Sequence, residues 1–268
     1  MATPCPACGA ERGHFYDCPI EGAPAVSAPP EAVAPPVEPD FPRARWLALP
    51  ITLGAMLLVA FTPLRFVLAV LFGMWLHEAG HAAAAWLTGA PAVPLPWVTL
   101  GGHERSVLFI ALELAALGAW LHFRRTHWRR VAGVAAALLL GLALPRSTAD
   151  VFILFAGDGG ALVLGTLLML AVFLPDESRL SRGALRWGWL VIGAGAFAST
   201  VVTWLRAVRD RDEIPFGRIE GVGLSDPSRL VDEHGWTPAG LVRAYLALAA
   251  VCLLVLAVTF AVKRPRNR

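Results

Sequence analysis

Seven apolar runs, each close to the length of a bilayer crossing, constrain this chain more than any other feature. They cover roughly residues 46–63, 66–88, 107–123, 131–145, 151–174, 187–205 and 241–262. A helix needs roughly 20 predominantly apolar residues to cross the hydrocarbon core. The pattern predicts an all-α fold, a polytopic membrane helix bundle of about seven transmembrane helices set in the lipid bilayer. The fourth run is the shortest and suits a tilted, re-entrant or locally thinned arrangement. Composition agrees, at 56% apolar and 16% charged residues, where a soluble domain carries about 25% charge. An ordinary soluble globule is excluded. A net charge of +3, scattered over many loops, also excludes a nucleic-acid binder working through bulk charge. Trp46, Trp86, Trp120, Trp128, Trp187 and Trp204 lie at the edges of the runs, the headgroup level for an amphipathic ring. Gly193 to Ala196 are all small and predict close helix–helix contact.

Outside the runs the chain divides into four parts. Residues 1–20 hold Cys5, Cys8, His14 and Cys18, a set able to bind one structural zinc tetrahedrally in the manner of a zinc knuckle. Free thiols or a redox pair are the alternative. With zinc, the segment is expected to dock a protein partner or substrate near the membrane. Residues 21–45 are rich in proline and predict an extended, disordered tether. The first forty residues show neither the basic start nor the apolar core of a signal peptide. The bundle then occupies 46–262, broken by a polar loop at 206–240 that contains an Asp226-Pro227-Ser228 helix-start signal. A basic tail covers 263–268.

Ionisable groups inside an apolar helix are costly, about 2.5–3.5 kcal/mol each on insertion scales, and so mark function. The second run carries His77, Glu78 and His81, the third Glu113 and the fifth Asp158. His77 and His81 are one turn apart, so both imidazoles leave the same helix face and can grip one metal ion. Glu78 is rotated about 100° from His77 and suits a general base acting on metal-bound water. A third protein ligand is needed, and Asp158 is the expected one. Both His81 and Asp158 lie about 10 Å from an end of their spans at 1.5 Å per residue, and with two spans between them those ends share a side. Glycines 157, 159 and 160 strip bulk from around Asp158, letting a helix and an ion approach. Glu113 is read as a partner behind a histidine, a rival ligand or an edge residue. With His103 and Glu104, it is also a candidate to line a polar cleft admitting water. The same buried groups also suit a polar knot gluing helices in a silent membrane scaffold or adaptor, or the pathway of an ion or proton transporter.

His77-Glu78-Ala79-Gly80-His81 and Asp158-Gly159 resemble the two motifs of the site-2 protease family of intramembrane zinc metalloproteases. The resemblance covers roughly residues 65–175. It implies that His77, His81 and Asp158 ligate a catalytic Zn²⁺, that Glu78 is the base, and that the substrate is a transmembrane protein cut in or near its membrane segment. Residues 89–102 resemble the family's hairpin loop, which helps present substrate as an extended strand.

Seven crossings would put the termini on opposite faces. Lys and Arg are balanced between those faces, 11 against 12. The short basic loops at Arg124 to Arg130 and the tail favour a cytoplasmic C-terminus, whereas reduced cysteines and the family resemblance favour a cytoplasmic N-terminus. The latter is the orientation expected here, for a multi-pass protein of the bacterial inner (plasma) membrane.

Overall fold

The computed structural model describes residues 42–102, 104–123, 128–175, 178–219 and 223–263. The Cys5/Cys8/His14/Cys18 cluster, the tether up to Phe41, His103 and the tail beyond Lys263 lie outside the described residues.

All seven apolar runs are helical. The helices are α1 Pro42–Ala60, α2 Arg65–Leu87, α3 Val107–Phe123 and α4 Trp128–Ala143. They continue with α5 Arg146–Phe173, α6 Leu185–Arg209, a short α7 Asp226–Asp232 and α8 Pro238–Val262. The first helix begins earlier than its apolar run because Pro42 can open a helix, where its missing N–H costs nothing. Four of these helices, α2, α5, α6 and α8, are long and apolar enough to cross a membrane; α1 and α3 are apolar but shorter. A wide π-type turn over Ala69–Gly73 interrupts α2 just before the stretch that carries its histidines.

Two small antiparallel hairpins complete the fold. In the first, β1 (Ala92–Leu95) pairs with β2 (Val98–Gly101), Pro94 standing opposite Thr99. In the second, β3 (Arg218–Ile219) pairs with β4 (Gly223–Leu224) inside the polar segment.

Helix α5 is the centre of the packing, with α2, α6 and α8 against it and α1 against α6. Trp204, Tyr245, Phe197 and Leu162 are fully buried between them. Trp204 therefore departs from the headgroup position expected of it: its run continues to Arg209, which carries the indole into the core. Helix α3 is its opposite. Apart from Glu113 and His122 it is apolar, and it buries no residue inside the protein, the pattern of a surface suited to lipid.

Glycine sets the closest approach. A Cβ on Gly80 would overlap the carbonyl of Ala156, and one on Gly160 would overlap the Cα of Gly80. Helices α2 and α5 thus meet backbone to backbone, and any side chain there would push them apart. Gly160→Val is expected to lower stability by about 1–3 kcal/mol or more, read as a lower midpoint of thermal unfolding in detergent. Gly118→Ala, whose Cβ meets nothing within 4 Å, is expected to be neutral or slightly stabilising.

Candidate metal centre

The close crossing of α2 and α5 places the histidine face of α2 against the glycine face of α5. A Cβ on Gly157 would stand 2.6–2.7 Å from His77 Cε1 and Nε2 and 2.7 Å from His81 Nε2. The two imidazoles fill the space that this glycine leaves.

The third group comes from outside the long helices. After α6, the chain folds back over the end of the bundle, and Ser225 caps α7, its hydroxyl accepting from Ser228 N–H. That start, strengthened by Pro227 in the first turn, presents Asp226 to the histidines. Its Oδ2 lies 3.1 Å from His77 Nε2 and 3.0 Å from His81 Nε2, and the two nitrogens are 3.1 Å apart. Three ligand atoms therefore form a nearly equilateral triangle, and His77, His81 and Asp226 make up a group that could hold a metal ion. Three ligands of a tetrahedral ion at about 2.0–2.1 Å would stand roughly 3.3 Å apart, so the triangle fits with little adjustment.

The other ring nitrogens decide what the triangle contains. His81 Nδ1 is 2.7 Å from the Ile153 carbonyl, which can only accept, so Nδ1 carries the hydrogen. His77 Nδ1 is 3.0 Å from Asp158 Oδ1, again a donor facing an acceptor. In neutral imidazoles both Nε2 atoms are then bare lone pairs, aimed at each other and at a carboxylate oxygen. Such a cluster needs a cation at its centre, either a proton or a metal. Burial pushes the Asp226 carboxyl up, but a proton held on the facing His77 and His81 nitrogens donates to it and, with its charge, outweighs this and holds the carboxyl well below the usual carboxylate range.

Asp158 does not occupy the position expected of it. Its Oδ1 accepts from His77 Nδ1, and its Oδ2 accepts from Trp204 Nε1 at 2.8 Å. With both oxygens held by donors, it stands behind His77 and fixes the ring's tautomer and orientation. Trp204 is itself held in a stack with Tyr245, which stacks in turn on Phe155.

Glu78 is buried, and its Oε2 accepts from the Thr99 hydroxyl of β2 at 2.7 Å. Glu113 is elsewhere, on α3, with Oε2 occluded and without a hydrogen bond among the described residues. Glu104 pairs with Arg146 on the exposed surface. Neither lines the cleft that opens beside the histidines. This cleft has a volume of about 790 Å³. Both hairpins wall it, Trp97 and Thr99 from one side and Phe216 and Arg218 from the other, with Asp150 and Arg229 also on its lining.

No family model, no curated protein and no solved structure matches the chain. The site therefore has to be read from its own chemistry.

Removing a ligand and removing its support should have separable effects. Asp226→Ala is expected to lose bound metal, measured per chain on purified full-length protein. Asp158→Asn should keep the metal but bind it about 10–100-fold more weakly, measured by competition with a chelator.

Proposed function

We propose that the chain is an intramembrane zinc metalloprotease that hydrolyses a peptide bond in or near a transmembrane segment of its substrate. The observation that carries this reading is the His77/His81/Asp226 triangle beside the buried carboxylate of Glu78, at the base of a cleft between two hairpins. In this reading the seven apolar helices all cross the bilayer, and the N-terminus with its cysteine segment faces the cytoplasm, where that segment holds a second, structural zinc and docks a partner.

Two imidazoles and a carboxylate are a donor set that suits zinc, with one position left for water or substrate. Zinc held there supplies an electrophile that acidifies a water and polarises a carbonyl. Everything else falls to the protein. Asp158, braced by Trp204, keeps the His77 ring turned to the triangle. Glu78 takes the proton from the attacking water and passes it to the leaving amine. The cleft admits water to a site otherwise enclosed by apolar helices, and its hairpin walls give an extended peptide backbone something to lie against.

The test is peptide cleavage by full-length protein in zinc-loaded proteoliposomes, with a set of transmembrane peptides scored by mass spectrometry. Wild type is expected to cut at least one peptide inside or next to its apolar stretch. Glu78→Gln should retain zinc and cut at least about 100-fold more slowly. Cleavage unaffected by Glu78→Gln, or none by the zinc-loaded wild type, would overturn the reading.

A further inference from the structure

We propose that Thr99 is a positioning residue for Glu78: the β1–β2 hairpin aims the general base through one hydroxyl, and the base in return docks the outer strand onto α2. The proposal rests on the protease reading for the word base, but the tie itself is a matter of geometry.

Glu78 is only 6% exposed, so water does little to orient its carboxylate. Among the described residues its side chain has one hydrogen-bond partner, Thr99 Oγ1, at 2.7 Å from Oε2. The same hydroxyl lies 3.0 Å from the backbone carbonyl of Glu78. Its single hydrogen goes to the nearer carboxylate oxygen, with the carbonyl as the longer, shared acceptor. Threonine suits this task, since its branched Cβ restricts χ1 and leaves the hydroxyl little freedom to wander.

The hairpin needs the bond as much as the carboxylate does. An isolated two-stranded hairpin is marginal in stability, and this one has strands of four residues. Thr99 stands opposite Pro94, which has no N–H to give to the ladder. The inner strand is well fixed, with Ala92 buried and its carbonyl accepting from Trp86 Nε1 at 2.8 Å. From the outer strand, Thr99 is the one residue whose side chain hydrogen-bonds α2 among the described residues. Strand alternation turns Val98 and Leu100 to the opposite face, and Leu100 is exposed. A peptide lying along the cleft wall at Trp97 and Val98 is thus one residue from the atom that holds the base. Displacing β2 and misplacing Glu78 are the same event.

The experiment has two arms, both on full-length protein in nanodiscs, with zinc content measured first to show that each variant has kept its site. In the first arm, amide hydrogen exchange is followed over residues 92–101. Thr99→Val and Glu78→Ala should each speed exchange there by a similar factor, the double variant should add nothing further, and Thr99→Ser should restore protection. Exchange at the wild-type rate in Thr99→Val would overturn the proposal. In the second arm, on a cleaved peptide, Thr99→Val is expected to lower kcat about 10–100-fold with little change in KM, and Thr99→Ser to recover most of it. A wild-type kcat in Thr99→Val would equally overturn it. Should wild type cleave nothing, the protease reading fails by itself, and the exchange arm alone decides whether Thr99 holds Glu78.

Discussion

The contact on which the site depends is the bare crossing of α2 and α5 at Gly80 and Gly160. Backbones that touch bring the neighbouring turns within side-chain reach on both sides of the contact. One turn along, the His77 and His81 rings occupy the room left by Gly157; beyond them, Asp158 reaches the far side of His77. An alanine at either position would overlap the facing backbone, and the helices that hold the rings and the carboxylate together would have to shift. The rest of the core answers the same constraint. Phe197 and Trp204 of α6 pack in the same core as Leu162 of α5, and Tyr245 of α8 completes the stack behind Asp158.

A hydrogen-bonded chain runs outward from that crossing: Trp204 to Asp158, Asp158 to His77, His77 to Asp226. Donors and acceptors are matched from Trp204 to His77 Nδ1; at Nε2 the match fails, and that end of the chain is where a cation is needed. Asp158 makes this possible because its two oxygens face two donors on different helices. A carboxylate so engaged is a better brace than a ligand. Asp158 thus stands beside the candidate metal site while the third position of the triangle falls to Asp226.

Much of this was legible in the residues. Long apolar runs fix helices with little ambiguity, and each run became one, with ends shifted by a few residues. The spacing of His77 and His81 is local, so the shared face followed from helix geometry alone. Asp226 was recognised only as part of a helix start, because its approach to His77 spans 149 positions of sequence and depends on how a polar segment folds back. Nothing local distinguishes a carboxylate at the first turn of a short helix from one that also meets two histidines. Trp204 was misplaced for a related reason: an aromatic at the edge of an apolar run suits the headgroup layer and a buried donor equally well until its partner is known. Thr99 carried no signal at all, since a threonine in a strand is ordinary until its hydroxyl is seen on a carboxylate.

One turn beyond Asp226 on the same face of α7 lies Leu230, fully buried in the main core beside residues of α6 and α8. This leucine anchors the helix that carries the carboxylate. Assembly of the triangle is then partly an apolar quantity, set by how strongly one side chain prefers the protein interior to water. That preference weakens on cooling as well as under denaturants. A triangle assembled in this way would loosen on cooling and in mild denaturant, although none of its three atoms changes its chemistry.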